Sequence, residues 1–217
     1  MDVNAYFHRL GLEMPEKIVP DSALLRKLHL AHCTAVPYEN LDILRDIPTS
    51  LEADALFRKI VTEGRGGLCF ELNGSFGNLL RCLGYGVTDY AARYLRGAPM
   101  RRHRVMRVQA TDGVWLCDVG IGETAQREPI RLVEGLVQEQ FGESYRLEKE
   151  DFLGWVLWDL YKGSWRKFYS FTEEPQLVAD FVALNFYCEK HPESPFNKQE
   201  MFALKTLDGR RTLDGNL

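Results

Sequence analysis

An α+β fold with segregated layers is the class this sequence predicts, and three observations carry it. Helical periodicity fills the chain up to Gly84, alternating strand-like segments dominate after it, and the two kinds of element do not interleave as a doubly wound parallel sheet requires. The 217 residues are 45% apolar and 27% charged, enough to bury the core of one large domain or two modest ones.

The first half reads as four helical runs. Asp2 is an N-cap candidate before Val3 to Leu10, and Gly11 stops that run. Pro20-Asp21-Ser22 opens the second, where Leu24, Leu25, Leu28 and Ala31 recur at the helical period until Pro37-Tyr38-Glu39-Asn40 breaks it. Leu51 to Ile60 is a third helix. After Gly64, Gly66 and Gly67 comes a fourth, opened by Cys69, with Phe70, Phe76, Leu79, Leu80 and Leu83 as its apolar stripe and Gly84 as its C-terminal cap.

Beyond Gly84 the pattern shortens to a period of two. Tyr85 to Tyr94, Val105 to Gln109, Val114 to Asp118, Tyr145 to Leu147, Trp155 to Leu160 and Trp165 to Phe171 read as strands. Thr111-Asp112-Gly113 is a hairpin turn between the second and third. Asp180 to Tyr187 reads as a helix, Pro192 to Pro195 as a loop, and Met201 to Leu207 as a last strand. No internal repeat or low-complexity tract interrupts this order.

Composition narrows the function. A net charge of −4 gives no broad reason to bind nucleic acid. The run Arg101-Arg102-His103-Arg104 is a local exception, either a solvated strand end or a site for an anionic ligand. No stretch approaches the ~20 apolar residues of a bilayer span, and Met1-Asp2-Val3-Asn4 lacks a basic leader. Five scattered cysteines suit reduced thiols and a cytoplasmic setting. His29, His32 and Cys33 lie within one helical turn, but without a fourth ligand they read as polar partners inside a helix, so no metal is expected.

The chemistry-bearing residue is Cys69. Behind Gly66-Gly67 and at a helix start, its sulfur meets the positive end of the helix dipole, which favours the nucleophilic thiolate. Cys33, Cys82, Cys117 and Cys188 read as buried, unreactive thiols. A nucleophilic cysteine needs a base and an orienting group. With a four-residue loop from Ala110 to Gly113, Val105 faces Asp118, and His103 lies diagonal to Asp118 at ~7–8 Å. A two-residue Asp112-Gly113 loop would spread the pair and require a bulge.

Arg65-Gly66-Gly67-Leu68-Cys69-Phe70-Glu71-Leu72-Asn73 resembles the signature of the arylamine N-acetyltransferase family. Leu28 to His32 followed by Val36-Pro37-Tyr38-Glu39-Asn40-Leu41-Asp42 is similar to that family's upstream motif. His103-Arg104 and Trp115 to Gly122 match its histidine and aspartate segments in order. Phe171, Glu174-Pro175, Asp180-Phe181, Asn185 and Ser194-Pro195-Phe196 extend the resemblance over nearly the whole chain.

The resemblance implies a helical bundle at 1–84 carrying the nucleophile, a β-barrel-like domain at 85–178 carrying histidine and aspartate, and an α/β lid at 179–217. The chain stops early for such a lid, which is expected to be incomplete. The implied triad is Cys69, His103 and Asp118, similar in geometry to that of papain-like proteases and transglutaminases. The implied reaction moves an acetyl group from acetyl-CoA to the cysteine, then to an arylamine, hydrazine or N-hydroxyarylamine. Phe70, Ile121 and Glu123 match acceptor-pocket positions; Gly120, Gly122 and Phe196 match donor-cleft positions; Glu39 and Arg65 match a supporting charged pair. A homodimer could cover apolar surface left by a short lid. An amide synthase, a thiol acyl hydrolase, or an inactive protein binding CoA esters or amines are the competing readings.

Overall fold

The computed structural model describes residues 1–97, 100–122 and 126–214. Its helices lie where turn and capping chemistry put them. Helix α1 spans Val3–Arg9, with the Asp2 carboxylate accepting from the Ala5 amide at 3.0 Å. Helix α2 spans Ser22–Ala35, capped by Asp21 on the Leu24 amide at 2.9 Å. Pro37 ends it, and a two-residue strand β1 (Tyr38–Glu39) and a single-turn helix α3 (Leu41–Leu44) follow where the sequence predicts only a break.

The third predicted helix is corrected in part. Helix α4 covers Ala53–Phe57, but Arg58–Thr62 widens into a π-helical turn. Ile60, Val61 and Thr62 are successive β-branched residues, which crowd a tight helix. Arg9 also takes the Ile60 carbonyl from outside at 2.8 Å. Helix α5 (Cys69–Cys82) then runs to Gly84, whose φ of 90° is the left-handed geometry that ends helices.

Among the described residues, β2 to β9 form an eight-stranded antiparallel sheet, nearly closed into a barrel, in the order β5-β4-β3-β2-β9-β8-β7-β6. Their ranges are β2 Gly86–Tyr94, β3 His103–Ala110, β4 Gly113–Cys117, β5 Ile130–Arg131, β6 Gln138–Gln140, β7 Glu143–Glu150, β8 Gly154–Tyr161 and β9 Ser164–Pro175. The edge strands β5 and β6 meet through side chains. Gln138 accepts from the Arg131 amide at 2.7 Å and donates to its carbonyl at 3.0 Å; Gln140 accepts from the amides of Arg127 and Glu128. Two glutamines thus replace the backbone ladder across the seam.

The β3–β4 register settles the loop question. Gln109 faces Val114 and Met106 faces Cys117, and pairing continues to Ala110 and Gly113. The turn is therefore Thr111-Asp112, tighter than the expected four-residue loop but in the same register; the alternative Asp112-Gly113 loop is excluded.

Helix α6 (Val178–Lys190) follows, beginning one residue before the expected boundary at 179. Strands β10 (Met201–Lys205) and β11 (Arg210–Asp214) form a hairpin, and β10 pairs with β1. The first and last parts of the chain thus share a three-stranded sheet. The core is shared as well. Tyr6, Leu25, Phe76 and Leu80 of the helices pack with Met106, Val108, Trp115 and Cys117 of the sheet in one cluster.

Candidate active site

Cys69 is the first residue of α5 and is buried. Its loop is held by charge. Arg65 donates to Glu39 at 2.8 and 3.0 Å and to Asp42 at 2.9 Å; Lys59 bridges Asp42 and Glu71 at 2.7 Å each; Glu71 accepts from the Leu68 amide at 2.9 Å. Glu39 and Arg65 do pair, and Glu39 is buried, so this is no solvated surface contact. Gly66 lies where a Cβ would overlap the Pro37 carbonyl, so the loop packs backbone on backbone.

His103 opens β3, and Asp118 follows β4. His103 Nε2 and Asp118 Oδ2 are 2.6 Å apart, which leaves Nδ1 for the sulfur. Burial alone disfavours the imidazolium. The Asp118 carboxylate and a hydrogen bond with Cys69 outweigh it, and the His103 pKa is pushed up to about 10. Burial likewise opposes the Asp118 charge, but His103, Asn73 and the Gly120 amide hold its pKa below the ordinary value. The Cys69 sulfur also lies 3.8 Å from the Arg102 carbonyl.

Two positioning groups have no role assigned by spacing or resemblance. Asn73, one turn after Cys69, donates to Asp118 Oδ1 at 2.9 Å and to the Arg104 carbonyl at 2.6 Å, and accepts from the Val119 amide at 2.9 Å. His29 accepts from the Asp118 amide at 3.2 Å and faces the Arg127 carbonyl at 2.8 Å through Nδ1. That pattern fixes a neutral tautomer protonated on Nδ1. Burial agrees, taking its pKa down to about 4. Cys33 sits 3.7 Å from the same ring, so the His29-His32-Cys33 group is internal polar packing. Among the described residues no group of three or more His, Cys, Asp or Glu side chains could hold a metal ion.

A cavity of about 370 Å³ opens on Cys69 and His103. Tyr38, Tyr94, Arg102, Gly120, Ile121 and Gly122 wall one part; Phe196, Met201, Phe202, Ala203, Arg210, Thr212 and Leu213 wall another. Of the expected contact residues, Ile121, Gly120, Gly122 and Phe196 therefore face it. Phe70 does not line it: it is fully buried and packs against Phe181 at 5.7 Å. Glu123 lies outside the described residues. The two glycines have an internal reason to lack side chains. A Cβ on Gly120 would stand 2.7 Å from Cys69 Cα, and one on Gly122 would stand 2.6 Å from the Tyr38 ring.

Cys82 corrects another expectation. It is exposed, because the last turn of α5 buries Leu79, Leu80 and Leu83 and turns position 82 outward. Cys33, Cys117 and Cys188 are buried, and burial pushes each thiol up.

A family model described as N-acetyltransferase matches residues 21–217. An arylamine N-acetyltransferase of Mycolicibacterium smegmatis is 37% identical over 226 residues, spanning 99% of this chain and 80% of that protein. The arylamine N-acetyltransferase / N-hydroxyarylamine O-acetyltransferase of Salmonella typhimurium is 35% identical over 211 residues, spanning 95% of this chain and 74% of that protein. The solved Salmonella typhimurium structure superposes with a TM-score of 0.92 at 34% identity, over 98% of this chain and 78% of that one. The Mycobacterium marinum enzyme in complex with CoA superposes with a TM-score of 0.91 at 33% identity, over 98% of this chain and 80% of that one.

Proposed function

The chain belongs to the arylamine N-acetyltransferase family, and from that premise we propose how its own residues carry acetyl-CoA-dependent acetylation of an arylamine. The observation that carries the reading is the buried line of Cys69, His103 and Asp118 at the end of one cavity. Cys69 is the nucleophile, His103 the proton carrier, and Asp118 the group that orients and charges His103.

In the first half-reaction the Cys69 thiolate attacks the acetyl carbonyl, and the carbon–sulfur bond to CoA breaks. The imidazolium returns its proton to the departing CoA thiolate. In the second, the amine nitrogen attacks the acetyl-cysteine carbonyl, neutral His103 accepts the amine proton, and the sulfur leaves as thiolate. Phe196, Ile121, Gly120 and Gly122 bound the space available to donor and acceptor. A hydrazine or N-hydroxyarylamine fits the same sequence of bonds. Glu39 and Arg65 support the cysteine loop, and Phe70 packs behind the start of α5 against Phe181.

The order of steps predicts ping-pong kinetics and an acetyl mass increase on the intact protein with acetyl-CoA and no amine. A Cys69→Ser variant should abolish the increase. An unmodified wild-type chain under the same conditions would sink the reading.

No helix among the described residues is long and apolar enough to cross a membrane. We place the reaction in the cytoplasm, consistent with five free cysteines, and localisation of a tagged chain checks it. A homodimer is our further reading. Leu177, Val182 and Phe186 of the α6 segment are 74, 57 and 63% exposed, an apolar stripe that a second copy would cover. Sedimentation showing only monomer at high concentration would remove it.

A further inference from the structure

Arg101 to Arg104 present four basic side chains in a row, and three of them are occupied. Arg101 reaches Glu174 at 3.2 Å and Thr172 at 3.3 Å. His103 is bound to Asp118, and buried Arg104 donates to Asp89 at 2.8 Å. Arg102 is the exception: among the described residues its guanidinium has no hydrogen-bonding or ionic partner, yet it lines the cavity.

Its backbone carbonyl lies 3.8 Å from the Cys69 sulfur, so the side chain is rooted beside the nucleophile. Its charge reaches Tyr38 and Cys188, two groups that also feel Cys69. The surrounding walls are aromatic, from Tyr38, Tyr94 and Phe196. An unpaired guanidinium among aromatic faces matches a planar acid, because its fork binds a carboxylate through two parallel bonds while a ring stacks on the walls. Phosphates of CoA suit this place less well. The pantetheine arm separates them from the thioester, whereas the Arg102 backbone lies beside the sulfur and its charge acts on Tyr38, a group that Cys69 also influences.

Resting on the acyl-transfer reading above, we infer that Arg102 is a specificity-determining residue that binds a carboxylate on the substrate near the reacting carbonyl. The acid is carried either by the arylamine or by the far end of the acyl group, and kinetics separate the two. One arm compares para-aminobenzoate with para-aminobenzamide, using acetyl-CoA. The other compares malonyl-CoA with propionyl-CoA, using a neutral arylamine. Wild type, Arg102→Gln and Arg102→Lys are measured in both.

In the arm that carries the acid, wild type prefers the acid over its neutral counterpart. Arg102→Gln lowers kcat/KM for the acid by about ten- to a hundredfold more than for the neutral substrate, mainly through KM. Arg102→Lys, which keeps the charge without the fork, retains part of the preference. No acid preference in wild type in either arm, or equal losses for acid and neutral substrates, overturns the inference. Should Arg102→Gln fail to fold, benzoate and benzamide are compared as protectants of wild-type Cys69 against alkylation; benzoate protects better if Arg102 binds it, and equal protection overturns the inference. The acetyl mass increase on wild-type Cys69 is recorded alongside. Its absence counts against acyl transfer itself, whereas normal acetylation without discrimination of acids overturns only the role of Arg102.

Discussion

Asp118 is held from every side. His103 takes one carboxylate oxygen, Asn73 and the Gly120 amide take the other, and His29 takes its backbone amide. A carboxylate this constrained keeps its charge in a buried site and fixes the imidazole. Asn73→Ala should therefore lower kcat/KM by roughly ten- to a hundredfold, the worth of a hydrogen bond to a buried charge. It should also slow alkylation of Cys69 near pH 6, which a change in substrate binding alone would leave untouched; exposed Cys82 is the internal reference. His103 gives a pH signature of definite sign. Its folded pKa of about 10 lies above the ordinary value of 6.5, so its stabilising charge is complete below pH ~6.5 and is lost as pH rises toward 10. The difference in Tm between wild type and His103→Gln should shrink from pH 6.5 to pH 10, and a pH-independent difference would contradict this. Cys69, His103 and Asp118, the proposed triad, were legible as candidates because each sits in a distinctive local motif. Asn73 and His29 were not, because what marks them is a partner 45 or 89 residues away. Phe70 is the opposite case: its motif matches an acceptor-pocket position, and its side chain packs against α6.

Helix α2 carries two buried histidines in its apolar stripe, and both are held neutral. Burial lowers His29 to about 4 and His32 to about 3. In the unfolded chain each gains a proton near pH 6.5, so the unfolded state binds more protons as pH falls below that value. Stability must then fall with pH, at no more than about 1.4 kcal/mol per pH unit for each histidine, down to the folded pKa. His29→Gln keeps an acceptor and a donor in place but cannot titrate. Urea midpoints between pH 6.5 and 4.5 should decline less steeply in it than in wild type; parallel slopes would exclude His29 as a source of acid lability. Elements of this length were readable from pattern alone. The start of α5 at Cys69 and the Gly84 stop follow from local chemistry, whereas the β3–β4 pattern left two loops open until the pairing of Gln109 with Val114 chose between them. Strands β1, β5 and β6 are two or three residues long, too short for a period to show. Tyr38-Glu39 follows a proline and reads as a break, and becomes a strand only by meeting Ala203 and Phe202.

The cavity has two halves whose walls rest on different anchors. The chemical half consists of α5, β3 and the end of β4, fixed by Asn73 and by the shared core. The other half is the stretch from Pro195 to Leu213, which supplies Phe196, Phe202 and Arg210 to the cavity wall. Asn40 is one fastening of this stretch, beside Arg127, which donates to the carbonyls of Thr206 and Gly209 at 2.8 Å each. The Asn40 amide donates to the carbonyls of Phe196 and Gln199 at 2.8 Å each, and its carbonyl accepts from the Met201 amide at 2.8 Å. The β1–β10 pairing begins beside it, so Asn40 also sets where that short ladder starts. Asn40→Ala would release all three bonds while leaving every contact of His103 and Asp118 intact. KM for acetyl-CoA should rise by roughly tenfold, since three net hydrogen bonds of about 1 kcal/mol each no longer place the wall and part of that loss is recovered by water. The rate of Cys69 alkylation at pH 6 should stay close to wild type, because the sulfur and its imidazole belong to the other half. A fall in alkylation rate equal to the loss in kcat/KM would show that the two halves are one mechanical unit, and that the wall helps set the nucleophile itself.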